Sequence, residues 1–359
     1  MAESSRVLVT GASGFLASHV IHQLLHAEEY HVRGTVRDIN NEKKTTPLRV
    51  LHPEAKYPLE LVQADLLEPD SWISAVKECD YVIHVASPFP SAPPKTEDEV
   101  ITPAVEGTKN VLEACAKSGT VKRVVMTSSV VVIYNGNQDK GYMLTEKDWA
   151  VLESCAPYEK SKLLAEQSAW EFVKNLPDEQ KFELVVMNPG YLIGPIFHGS
   201  SCTSMEIHRR MLQKEMPMLP KLQLPICDVR DAATAHIKSL TLPDTPGNRF
   251  IITAGSMWMR EFAQTLEREF KSQGYTIPTK YCPKFGLRVM SLFDKSIKSI
   301  IPLVGKVVNI SNEKMVKELG ITPIEMEKSI IDMAYSLIDH GFVKKTKEYN
   351  EPKNDENGC

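Results

Sequence analysis

One short stretch constrains this chain more than any other. Thr10-Gly-Ala-Ser-Gly-Phe-Leu-Ala17 lies between an apolar run, Arg6-Val-Leu-Val-Thr10, and a segment carrying Leu16, Val20, Leu24 and Leu25 at helical spacing. A G-x-x-G-x-x-A pattern between a strand and a helix is the setting of a dinucleotide-binding turn. Gly11 and Gly14 let the backbone turn tightly and approach a pyrophosphate, and Ala17 lets the helix pack closely on the strand. The helix start offers free N–H groups and the positive end of its dipole to phosphate. Gly11, Ser13, Gly14, Phe15 and Leu16 are therefore cofactor-binding candidates. The alternative is a tight turn without a ligand, and the strand–turn–helix setting argues against it.

The rest of the chain repeats the strand–helix rhythm. His31–Val36, Leu59–Val62, Asp80–Val85, Lys122–Thr127 and Phe182–Met187 read as strands, with helices over 99–118 and 157–175. Such alternation implies βαβ units and an α/β fold, a Rossmann-type doubly wound parallel sheet of about seven strands. After Pro189 the rhythm weakens. Residues 189–225 are rich in Gly, Pro, Ser and Met and suggest a loop-dominated lobe, whereas 310–342 looks mostly helical. The expected organisation is a dinucleotide-binding domain over 1–188, completed by about 226–250, with a smaller C-terminal substrate lobe from 189–225 and 251–343. The charged segment 344–359 is expected to be disordered.

Composition narrows the function classes. A net charge of −4 spread along 359 residues lacks the basic footprint of a nucleic-acid binder. No apolar stretch approaches the ~18 residues that cross a bilayer, and Met1–Arg6 does not resemble a secretion leader. The cysteines are odd in number and never spaced as C-x-x-C, which fits reduced thiols better than disulfides or zinc. The expectation is a cytoplasmic monomer or homodimer, without membrane, nucleic acid or metal.

Cofactor choice turns on the end of the second strand. An NAD enzyme usually carries Asp or Glu there to hold the ribose 2′-hydroxyl. This chain has Arg37, whose guanidinium suits a 2′-phosphate, and Lys43 and Lys44 follow in what reads as a loop. NADP(H) is expected over NAD. Asp38 leaves open a simple solvated Arg–Asp pair.

The catalytic candidates sit further on. Tyr158 and Lys162 lie four residues apart on one helix face. An ammonium beside a phenol of unperturbed pKa ~10 is expected to lower that value toward the working range. The spacing alone is weak, since Tyr349 and Lys353 repeat it in the polar tail. What singles out the first pair is Thr127-Ser128-Ser129 at the end of the fifth strand, where ligands of such sheets bind and a hydroxyl can hold a carbonyl oxygen.

Together these motifs carry a resemblance. T-G-A-S-G-F, T-V-R-D, A-D-L, H-V-A-S-P, T-S-S, Y-x-x-x-K, N-P-x-x-x-x-G-P and D-V-R-D-A-A-x-A-H are similar to those of the extended short-chain dehydrogenase/reductases. Within them the chain resembles the branch of dihydroflavonol reductases, cinnamoyl-CoA reductases and yeast-type methylglyoxal/aldehyde reductases. The resemblance implies that Asp65 and Leu66 flank adenine and that Val85, Ala86 and Ser87 lie along the cofactor. It implies Arg37 and Lys44 at the 2′-phosphate and Pro189 to Leu192 at the nicotinamide. It further implies that Ser129 rather than Ser128 is the active serine, that Tyr158 donates the proton and that Lys162 binds the ribose. Ser87, Tyr134 and Tyr191 are the substrate-side candidates.

Two departures widen the substrate expectation. Dihydroflavonol reductases carry Asn where this chain has Tyr134, and cinnamoyl-CoA reductases carry N-W-Y-C-Y-G-K where this chain has Ala156-Pro-Tyr-Glu-Lys-Ser-Lys162. A general aldehyde or ketone reductase fits better. The rivals are a nucleotide-sugar epimerase or dehydratase on the same scaffold and a non-catalytic NADPH sensor. His19, His22 and His26 share a helix face, which is expected to point away from the core, and lack further metal ligands. His84 and His236 are read as structural, and Met205, Met211, Met216 and Met218 as lobe core or pocket lining.

Overall fold

The computed structural model describes residues 4–87, 96–138, 141–197, 204–292 and 295–352. Pro88, Cys202, Lys353 and Cys359 lie outside the described residues. The strands are β1 (Arg6–Val9), β2 (His31–Val36), β3 (Glu60–Gln63), β4 (Tyr81–His84), β5 (Arg123–Thr127), β6 (Glu183–Pro189), β7 (Tyr191–Ile193), β8 (Gln223–Asp228), β9 (Arg249–Ile252) and β10 (Gly255–Trp258). The helices are α1 (Phe15–Ala27), α2 (Glu42–Arg49), α3 (Pro69–Ala75), α4 (Asp98–Ser118), α5 (Val131–Tyr134), α6 (Pro157–Lys174) and α7 (Met205–Leu212). They continue with α8 (Val229–Lys238), α9 (Met259–Phe270), α10 (Lys284–Met290), α11 (Lys295–Ile300), α12 (Glu313–Glu318) and α13 (Met326–Asp339).

Seven strands form one parallel sheet in the order β3-β2-β1-β4-β5-β6-β9. Both faces are covered, so strands that read as continuous apolar runs divide their residues between two cores. Val7 and Val9 face α1 and α8, with Leu24, Leu25 and Ala232, whereas Leu8 faces α3, α4 and α6, with Trp72, Leu112 and Ala169. The Rossmann-type doubly wound expectation holds. Beside this sheet stands a three-stranded one, β10-β8-β7, which carries the lobe. Its core joins Met205, Met211, Phe262, Leu266, Phe270, Met333 and Leu337 from α7, α9 and α13. No helix among the described residues is long and apolar enough to cross a membrane.

Several expectations need correcting. Residues 189–225 hold β7, α7 and the start of β8, so the stretch is less irregular than its Gly and Pro content suggests. Met205 and Met211 are buried in the lobe core, and Met216 packs at its edge. Residues 310–342 are mostly helical, as expected, and form two helices. They part at Gly320, whose φ of +59° ends α12, and Pro323 follows in the linker. Lys43 and Lys44 sit on the first turn of α2, not in a loop. The segment after 344 is held to the lobe through residue 351, although disorder was expected. Tyr275 donates to the Lys344 carbonyl at 3.0 Å, Tyr349 donates to Asp339 at 3.0 Å, and the Tyr349 ring packs on the lobe core. Two aromatic side chains outweigh the polar composition there.

The centre of the sheet is tied by one hydroxyl. Thr10 Oγ1, fully buried at the end of β1, accepts the N–H groups of Val85 (3.0 Å) and Ala86 (2.9 Å). Its proton is then directed to His84 Nδ1 at 2.9 Å, which fixes the ring as the Nε2–H tautomer. Thr10→Val keeps the volume and leaves two amides without that acceptor. It should cost about 2–3 kcal/mol in guanidinium unfolding, and Thr10→Ser clearly less.

Candidate active site

The chain winds outward in both directions from the centre of the sheet, through β2 and β3 on one side of β1 and through β4 and β5 on the other. A crevice opens at the carboxyl ends of β1 and β4, where that order reverses. Gly11 begins the turn above β1 with φ +68°, and a Cβ there would stand 3.1 Å from Ala86. Gly14 caps α1 in extended backbone, exposed, with its N–H on the Gly11 carbonyl at 2.8 Å. The N–H groups of Phe15 and Leu16 open the helix, where no intrahelical acceptor exists. The turn thus offers close backbone, no obstructing side chain and unpaired donors, and it fits a dinucleotide pyrophosphate.

The flanks are arranged around this turn. Arg37 is exposed just past β2, and Lys43 and Lys44 are exposed on the start of α2. Asp38 directs its carboxylate to the Asn40 N–H at 2.9 Å. Beyond β3, the Asp65 carboxylate accepts from Leu67 N–H at 2.9 Å, and its carbonyl accepts Trp72 Nε1 at 2.8 Å. Leu66 is pinned over Gly107 of α4, where a Cβ would come within 2.9 Å of it. Val85, Ala86 and Ser87 follow β4, partly exposed, along the same crevice edge.

Across the crevice, Ser128, Ser129 and the N-terminus of α6 meet. The serine loop is fixed to β6: Ser128 N–H donates to Met187 O at 2.7 Å and Val130 N–H to Pro189 O at 3.0 Å. Pro157 occupies the first turn of α6, where its missing N–H costs nothing, and sets Tyr158 at the crevice. The Ser129 and Tyr158 side chains are hydrogen-bonded, whereas Ser128 Oγ is buried without a partner. Tyr134, buried at the end of α5, lies beside Tyr158 and Glu159, and its pKa is pushed up mainly by burial. Tyr191 donates to the Ser204 carbonyl at the border of the lobe, one residue past Gly190 and two before buried Ile193. Leu192, between them, packs against the Rossmann core.

The electrostatics differ from the expectation for Tyr158. Its pKa is raised to about 12, first by burial and then by the Glu159 carboxylate, with Ser129 opposing. The anticipated lowering by Lys162 is not what sets this value: desolvation disfavours the phenolate, and the one opposing cause is the Ser129 hydrogen bond. Lys162, 8% exposed, is lowered to about 8 by burial, with Glu166 opposing. His84 beneath it falls to about 3, through burial and then through Lys162, and stays neutral.

The sequence reading missed a buried group behind Tyr158 and Lys162. Glu166, Asn188 and Arg249 are joined by hydrogen bonds. Only the continued four-residue step from Tyr158 and Lys162 to Glu166 could have signalled it. Among the histidines, His19 is buried and bonded to the Pro195 carbonyl at 2.8 Å, so its face is covered rather than open. α1 is sandwiched between the sheet and the segment at Pro195. His22 and His26 stack on each other beside His52, and no metal-holding group of side chains occurs among the described residues. His236 Nε2 meets Thr127 Oγ1 at 2.8 Å inside the core.

With this geometry in view, comparison gives the class. The chain belongs to the NAD dependent epimerase/dehydratase family, the extended short-chain dehydrogenase/reductases, whose model matches residues 7–254. It is 35% identical to tetraketide alpha-pyrone reductase 1 of Arabidopsis thaliana over 317 residues, 82% of this chain and 95% of that one. It is 31% identical to cinnamoyl-CoA reductase 2 of the same plant over 356 residues, 98% of each. Among solved structures, the yeast methylglyoxal/isovaleraldehyde reductase Gre2 complexed with NADPH matches with a TM-score of 0.77 and 28% identity, over 93% of this chain and 98% of that one.

The site makes a direct titration prediction. In competitive amine labelling followed by mass spectrometry, Lys162 should half-react near pH 8. Exposed lysines should follow near ~10.4.

Proposed function

We propose that this protein reduces an aldehyde or ketone to the alcohol with NADPH, through Ser129, Tyr158 and Lys162. The chain is an NAD(P)-dependent reductase of the extended short-chain dehydrogenase/reductase family. The observation that carries the finer reading is the Ser129–Tyr158 hydrogen bond one helical turn from Lys162, facing the dinucleotide turn. The NADPH in the matching Gre2 structure and the cations Arg37, Lys43 and Lys44 support the cofactor.

NADPH, when bound, supplies the hydride that the carbonyl carbon receives. Gly11, Ser13, Gly14, Phe15 and Leu16 hold its pyrophosphate, and Arg37 with Lys44 holds the 2′-phosphate. Asp65, Leu66, Val85, Ala86, Ser87, Pro189 and Leu192 line its length. The Ser129 hydroxyl donates to the carbonyl oxygen and aligns it with Tyr158. A phenol held near 12 is fully protonated at neutral pH, so Tyr158 has a proton to give as charge develops on that oxygen. The Lys162 ammonium stabilises the phenolate left behind, and solvent restores the proton. Ser87, Tyr134 and Tyr191, with the lobe of 189–225 and 251–343, form the substrate side. Tyr134 in place of Asn, and the absent cinnamoyl motif, favour a general carbonyl compound over a dihydroflavonol or a cinnamoyl thioester.

The test is NADPH consumption across aromatic, aliphatic and dicarbonyl substrates, with NADH and UDP-sugars alongside. Tyr158→Phe should lower kcat about 10³-fold with the fold intact. Arg37→Ser should cut the NADPH-over-NADH preference about 10-fold or more, the worth of one charged hydrogen bond. The rate should decline above pH 8 as Lys162 loses its proton, because its lowered pKa confines the ammonium to lower pH. Micromolar NADPH binding without turnover on any carbonyl would contradict the reading.

A further inference from the structure

We propose that Glu166 is a positioning residue of this site: a buried, fixed carboxylate that keeps Lys162 an ammonium and, through Asn188, holds the Ser129 main chain against Tyr158. The inference rests on the roles given above to Tyr158 and Lys162.

Tyr158, Lys162 and Glu166 follow each other at four-residue steps, so they form one stripe along α6. Glu166 is fully buried. One carboxylate oxygen accepts Arg249 Nε at 2.6 Å and Trp170 Nε1 at 3.3 Å, and the other accepts Asn188 Nδ2 at 2.9 Å. The same Asn188 nitrogen donates to the Ser129 carbonyl at 3.3 Å. Arg249 is locked in turn. Its guanidinium lies 3.8 Å over the Trp149 ring and donates to the carbonyls of Glu146 (2.8 Å) and Asp148 (2.9 Å).

A buried ion pair is a poor way to gain stability, since apolar side chains of the same volume do as well or better. Its position is the informative part. Arg249 pairs directly with this anion, and Lys162, one turn away on the same helix face, is a second cation that burial alone drives toward the neutral amine. Of the carboxyl groups on α6, Glu159 acts on Tyr158 and Tyr134, whereas Glu166 acts on Lys162. His84 of β4 is neutral, and Tyr158 on the same helix is protonated. Glu97, at the start of α4, is engaged by Lys160 on the exposed side of α6. From β9, Arg249 reaches Glu166 itself. α5 contributes Tyr134, and β6 contributes uncharged Asn188. Glu166 is the anion that opposes the desolvation of Lys162.

The test uses the full chain with Glu166→Gln, which keeps the shape and one acceptor oxygen, removes the charge and sets an NH2 where the second oxygen accepted. Glu166→Gln/Arg249→Gln, which leaves no unpaired buried cation, is read in the same way. In competitive labelling of the cofactor-free protein, the Lys162 midpoint should fall by about one pH unit or more in both. The alkaline limb of kcat should move down with it, and kcat at pH 8 should fall about fivefold while KM for the carbonyl compound changes less than about twofold. Glu166→Asp should restore part of the shift. An unmoved midpoint and limb in the folded variants overturn the proposal while leaving the Tyr158 reading intact. Full activity of Tyr158→Phe in parallel overturns both.

Discussion

A parallel sheet that winds outward in two directions from one strand must leave a gap at that strand's carboxyl end, and the rest of this molecule is organised by that gap. Connections from β1 and β4 depart to opposite faces, so no crossover covers the space between them. The Thr10 hydroxyl closes its floor by tying β1 to the backbone beyond β4. Gly11 can come within contact of Ala86 only because it has no side chain. On the far side, β5 and β6 bring the Ser128–Ser129 loop and the start of α6 to the same level. The Gly11–Gly14 turn and the Ser129–Tyr158 pair thereby stand at one crevice.

Desolvation gives that crevice its chemistry. It disfavours charge whatever the sign, so it raises Tyr158 to about 12 and lowers Lys162 to about 8. Both shifts favour neutral forms, yet they act differently on function. A protonated phenol is the form needed to reduce a carbonyl. A neutral lysine is not the form needed to steady the phenolate that results. The anion of Glu166 acts against the second shift and leaves the first largely untouched, which suits its place two turns below Tyr158.

Much of this was legible in the sequence, for identifiable reasons. The seven-stranded sheet could be read because strands covered on both faces must be apolar throughout, as in Val7 to Val9 and Val124 to Met126. The tight turn after β1 could be read because a φ of +68° beside Ala86 favours glycine at Gly11. Other features resisted. The upward shift of Tyr158 depends on how many atoms surround it, and spacing carries no such information. The Glu166–Asn188–Arg249 group joins three distant segments. Several lobe helices, α7, α10, α11 and α12, span eight residues or fewer, so periodicity had few turns to act on there. The segment after 344 looks disordered by composition, yet through residue 351 Tyr275, Tyr349, Thr346 and Lys345 tie it to the lobe.

The central claim is that this crevice brings a reduced nicotinamide, a carbonyl carbon and the Tyr158 proton together. The most direct measurement uses NADPH deuterated at one face of C4 with a carbonyl compound that the protein consumes, and reads the alcohol by NMR and mass spectrometry. The account predicts one deuterium on the carbinol carbon from a single face of the cofactor, and solvent hydrogen on the oxygen alone. Product formed without the label, or with label from both faces, would contradict it.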